Sequence, residues 1–156
     1  MKPLGNVQSS SASLFRRSNG RGLSAAGAVI VVLGALPAWW TISGSGLAPE
    51  IGNAFDSPGF VGFFAALAVL AVIIAPEAVG EPLRIDWWPT HLVLVCSATC
   101  AFLLAAGEAA VTATGNDLPL SAVFGLNTAP GLWVTLVGLG VWIAGAAQIV
   151  DARNDR

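Results

Sequence analysis

The sequence predicts an all-α membrane protein: a bundle of four transmembrane helices with both termini on the inner side. Three observations predict it. The 156-residue chain is 55% hydrophobic, has a mean hydropathy of +0.74 and is only 10% charged, against about 25% charged in an ordinary soluble domain. Four apolar stretches approach the roughly 20 residues that cross a hydrocarbon core about 30 Å thick. All Lys and Arg residues fall in segments that a four-span topology puts on one side. None of the stretches alternates polar and apolar residues, as the strands of a membrane barrel must.

The elements follow in order. Residues 1–21 are rich in Ser, Asn, Gly and Arg, a composition expected to leave a disordered cytoplasmic tail. The transmembrane domain covers 22–150, with spans near 23–42, 58–75, 89–114 and 130–150. Pro58, Pro89 and Pro130 open three of them, where a missing N–H costs nothing. Ser57 and Thr128 stand just upstream as expected caps. Pro76 follows the second span. Pro37, inside the first, is expected to kink its last turn, a fault that membrane helices tolerate. Residues 151–156 form a short cytoplasmic tail. The Arg16-Arg17 pair lies too far from the apolar run for a good export signal, so the first span is expected to stay as an anchor.

Charge sets the orientation. Lys2, Arg16, Arg17 and Arg21 precede the first span, Arg84 lies in the second loop, and Arg153 and Arg156 end the chain. The first and third loops hold no cation, only Glu50, Asp56 and Asp117. Positive residues stay on the cytoplasmic side of short loops, so both termini are inside. Trp39-Trp40, Trp87-Trp88 and Trp133 fall at span ends and read as interfacial anchors.

One side chain stands out. Glu108 is the charge-capable residue well inside a span. An acid at the bilayer centre costs about 2.5 to 3.5 kcal/mol on insertion scales, and such residues usually face the bundle interior or a wet cavity. Five helical turns separate Thr90 from Glu108, and Ser97 and Thr112 lie near the same line. This polar face is expected to meet the other helices, as a proton or cation site, a hook for a partner, or a plain hydrogen-bonded seam. Gly131, Gly138 and Gly145 recur every seven residues in the fourth span, and Gly27 and Gly34 repeat the spacing in the first. Such stripes let backbones approach closely in lipid, within the bundle or between copies. Cys96 and Cys100 read as small apolar residues, and His91 as an interfacial hydrogen-bonding group.

Composition also excludes. No basic excess suits nucleic acid, and one histidine leaves little for a metal. The expectation is therefore no catalytic residue, no cofactor and no metal.

Pro37 with Trp39-Trp40, and the run Pro130-Gly131-Leu132-Trp133, carry a resemblance to small uncharacterised four-helix integral membrane proteins of actinobacterial type, over about residues 20–150. That resemblance implies a topology and no mechanism. A membrane Glu in a four-span protein also parallels the small multidrug transporters, which carry theirs in the first helix. The reading is a multi-pass protein of the bacterial inner membrane without enzymatic activity, an accessory, scaffold or interaction subunit. Its expected partners are the lipid bilayer and other membrane proteins or a second copy. The alternative is a small transporter or channel-like subunit using Glu108 as its proton or cation site.

Overall fold

Proline decides where the first helix stops. In the computed structural model, which describes the backbone of residues 5–43, 48, 50–79 and 86–154 and the side chains of 19–43, 48, 50–76 and 86–152, helix α1 runs Gly5–Gly34. Pro37 has no N–H to continue the ladder and biases Leu36 away from helical backbone. The expected first span to residue 42 is therefore cut short. Trp40–Ile42 instead forms a strand, β1, paired antiparallel with β2 (Glu50–Gly52). The carbonyl left open at Gly34 is taken by the Trp39 indole N–H at 2.8 Å.

The remaining order is a short 3-10 turn at Ala54–Asp56, α2 (Phe60–Val79), α3 (Trp88–Gly115), α4 (Leu120–Val123) and α5 (Pro130–Asn154). The protein is mostly helical. Two helices, α3 and the Pro130–Ala152 part of α5, are long and apolar enough to cross a membrane. The apolar parts of α1 and α2, Asn19–Gly34 and Phe60–Pro76, are shorter. Sixteen helical residues span about 24 Å, below the roughly 30 Å of a hydrocarbon core.

The N-terminal segment also differs from expectation. Helix already covers residues 5–21, and α5 continues to Asn154. Extending an existing helix needs no new nucleus, and neither segment contains proline. Lys2, Glu81, Arg84, Asp155 and Arg156 lie outside the described residues.

α1 packs on α5 and α2, and α3 packs on α2 and α5. The α1–α5 contact is the closest, and it is built from glycine. Gly20, Gly27 and Gly34 face Gly145, Gly138 and Gly131 in antiparallel register. A Cβ added at Gly138 would sit 2.8 Å from the Val31 nitrogen and 3.0 Å from the Gly27 carbonyl. One added at Gly145 would sit 2.7 Å from the Gly20 carbonyl. Backbone here rests on backbone. Between α2 and α3, Gly62 approaches Ala98 in the same manner, less tightly.

This register brings the start of the described α1 side chains and the end of α5 to one end of the molecule. The opposite end is capped by the β1–β2 pair and α4. Thr41 Oγ1 donates to the Thr128 carbonyl at 2.8 Å, and Val123 of α4 is buried. The Thr128 hydroxyl turns back from α5 and donates to the Val123 and Gly125 carbonyls. Asn53 and Asp56 close a reciprocal capping box around the 3-10 turn.

Candidate functional site

The α3 helix determines what the site can be, because its faces are sorted by size. Ala98, Ala101, Ala105, Ala109 and Ala113 are buried with Val95 and Phe102. Ser97, Glu108 and Thr112 are exposed, and Thr90 is half-buried near the helix start. The expected polar seam against the other helices does not form. The alanine face wins because small side chains let α2 and α5 approach, whereas burying a carboxylate costs desolvation without a paired cation.

Glu108 instead lines an open cavity of about 670 Å³ at the capped end of the molecule. Thr112, Trp40, Glu50, Asp56 and Leu104 share that cavity. Three acidic residues from three segments, Glu50 of β2, Asp56 of the 3-10 turn and Glu108 of α3, therefore line one space. Asp56 has one oxygen committed to the Asn53 N–H at 2.9 Å. Thr112 donates to the backbone carbonyl of Glu108 at 3.0 Å, the usual habit of a helical threonine. Thr90 and Ser97 do not join the cavity. Among the described residues, no three His, Cys, Asp or Glu side chains cluster closely enough to hold a metal ion. The arrangement is an acidic, solvent-open groove, suited to attracting cations or a basic partner.

A second polar cluster sits at the other end. Arg21 of α1 pairs with Asp86, just before α3, and its other nitrogen donates to the Ile73 carbonyl of α2 at 3.2 Å. Asp86 also meets His91 Nε2 at 3.1 Å. His91 is 1% exposed. The histidine expected as an interfacial hydrogen-bonding group makes its hydrogen bond inside the fold. Sequence spacing hinted at the Asp86–His91 contact, five residues apart around a helix start. Nothing local pointed to Arg21, which is 65 residues from Asp86.

The tryptophans divide as well. Trp39 and Trp40 are buried, Trp39 meeting Phe102 edge-on at 5.5 Å. They are core residues, not anchors. Trp142 is fully buried, while Trp87 and Trp133 are exposed. Gly27, Gly34, Gly131, Gly138 and Gly145 all lie on the α1–α5 contact, where they leave no room for a ligand. Cys96 and Cys100 are exposed and unlinked.

No family model, curated protein or solved structure matches this chain.

Proposed function

We propose that the chain is a multi-pass integral membrane protein of the bacterial cell membrane, with both termini cytoplasmic, serving as a non-enzymatic accessory or interaction subunit. One observation carries this reading: the size distribution is inverted relative to a water-soluble domain. Small residues fill the contacts between helices, and bulky apolar residues point outward. On α3 the outward set includes Val93, Leu103, Leu104 and Val111; on α5 it includes Val134, Leu136, Val137 and Ile143. In water such a surface is an aggregation liability. In lipid it is the expected solvent-facing surface, and close small-residue contacts are what holds the helices together. The shorter apolar parts of α1 and α2 span with local thinning of the bilayer or with flanking residues at the interface. Cations in the tail, second loop and C-terminus, and acids alone in the outer loops, support the orientation.

The test is fractionation followed by capture. The tagged chain should stay with membranes after alkaline carbonate washing, and crosslinking in mild detergent should recover a second component. A chain released by carbonate refutes the membrane reading. Recovery of isolated monomer alone refutes the subunit reading.

The acidic groove favours a second reading, a small cation- or proton-coupled transporter or channel-like subunit in which Glu108 binds the ion. Flux lost in Glu108→Gln at unchanged expression supports it. Unchanged flux removes it.

A further inference from the structure

We propose that the groove at the capped end of the molecule is a docking site for a short basic peptide segment of a partner protein. Such a segment belongs to the second component of the interaction-subunit reading, on which this assignment rests. The groove has about 670 Å³ of space, within the roughly 300 to 1,000 Å³ of ordinary ligand pockets. Glu50, Asp56 and Glu108 line it, and all three are exposed. None has an ion-pair partner among the described residues. The stretches 43–57 and 115–129 contain no Lys or Arg, so neither brings a cation to this end. Leu104 and Val111, both exposed, give the groove an apolar wall.

One further group points to the ligand. Trp40 lines the same groove and is 8% exposed. Its ring lies against Gly52, its pairing partner across the strands, where any side chain would strike the indole. The neighbouring Trp39 spends its indole N–H on the Gly34 carbonyl. The Trp40 N–H has no hydrogen-bond partner among the described residues, and unlike the Trp142 N–H it is not sealed from the surface. It is a fixed donor that a ligand's acceptor can meet. These features select one occupant. A bare metal ion fits poorly, because no three acidic side chains among the described residues close on one point. A polyamine brings cations but no acceptor for the indole, which only donates. A second copy brings the same acidic end. A basic peptide satisfies every group. Its Lys or Arg heads reach the separated acids, their methylene stems lie along Leu104 and Val111, and a backbone carbonyl accepts from Trp40.

The probe is the peptide Lys-Val-Lys-Val-Lys, fluorescein-labelled at its amino end and amidated at the other, offered to the full-length protein in phosphatidylcholine nanodiscs. Fluorescence anisotropy should show saturable binding that empty nanodiscs lack, and Glu-Val-Glu-Val-Glu should not bind. Glu50→Gln and Glu108→Gln should each weaken binding roughly threefold, and together about tenfold. Trp40→Phe keeps the ring, removes the donor and should weaken binding several-fold. Asp117→Asn changes an acid that does not line the groove and should leave binding unchanged. If Trp40→Phe does not fold, the Trp40 Nε1–H resonance of the wild-type protein decides: it should shift with the basic peptide and not with spermidine. Equal binding of the two peptides, full affinity in the double Gln variant or in Trp40→Phe, an equal loss in Asp117→Asn, or the same shift with spermidine overturns the proposal. A second component captured by crosslinking together with no peptide binding overturns the docking site alone. Peptide binding by a chain recovered only as monomer upholds the docking site and removes the subunit reading.

Discussion

Adding one methyl group at Gly138 should destabilise the protein, although the same change two residues away should stabilise it. Glycine to alanine inside a helix ordinarily gains about 1 kcal/mol of helix propensity. At Gly140 a new Cβ meets nothing within 4 Å, so that gain should be realised. At Gly138 the new atom stands 2.8 Å from the Val31 nitrogen and 3.0 Å from the Gly27 carbonyl and Ile30 Cγ2. Two of these are backbone atoms of the facing helix, so relief requires α1 and α5 to separate along their closest contact. Overpacking of this kind costs about 1 to 3 kcal/mol, and separation also weakens the neighbouring Gly27 and Gly145 contacts. Gly138→Ala should thus lose about 1 to 2 kcal/mol net, and the two variants should differ by roughly 2 to 3 kcal/mol. Thermal unfolding in detergent, followed by tryptophan fluorescence, should place Gly138→Ala several degrees below wild type and Gly140→Ala at or above it. Equal stability of the two variants would refute the backbone-on-backbone account of the α1–α5 contact.

Three further outcomes follow from other contacts. Arg21→Gln should lose about 2 kcal/mol, below the roughly 3 to 5 of a fully buried pair because Arg21 still reaches solvent; a double-mutant cycle with Asp86→Asn, read by the same unfolding assay, should show the two losses to be non-additive. Trp39→Phe keeps a ring beside Phe102 but removes the donor to the Gly34 carbonyl, and should cost about 1 kcal/mol; a variant as stable as wild type would mean that carbonyl finds another donor. Cys96 and Cys100 lie exposed on the outward face of α3, so Cys96→Ala and Cys100→Ala should each change stability by no more than about 0.5 kcal/mol in the same unfolding assay, and a loss several times larger would place that face wrongly.

The long helices could be read in the sequence because their signal is local. Apolar run length and prolines at helix starts marked the regions of α2, α3 and α5, and α5 begins at Pro130 as its sequence suggests. The reading failed where a local signal had two outcomes. Pro37 can kink a helix or end it; here it ends α1, and Trp40–Ile42 is drawn into a strand by pairing with Glu50–Gly52, a partner no local pattern announces. The polar line through Thr90, Ser97, Glu108 and Thr112 was visible as a face, but a helical wheel does not say which face packs. Alanines spaced four apart on the neighbouring face allowed the closer approach, and Glu108 was left to an acidic groove shared with Glu50 and Asp56.

The sequence by itself determined a scarcely charged, mostly helical chain whose cations avoid the two acid-bearing stretches 43–57 and 115–129 and whose glycines recur every seven residues in two stretches. These are properties of composition and periodicity, and they survive any packing. Only the tertiary structure decided that the two glycine stripes face each other, that Trp39 and His91 are core residues, and that Arg21 meets Asp86 across 65 residues. The physical reason is that packing selects among faces by how closely backbones can approach and by which buried polar groups find partners. Both depend on pairs of distant residues, and neither is a property of any one segment.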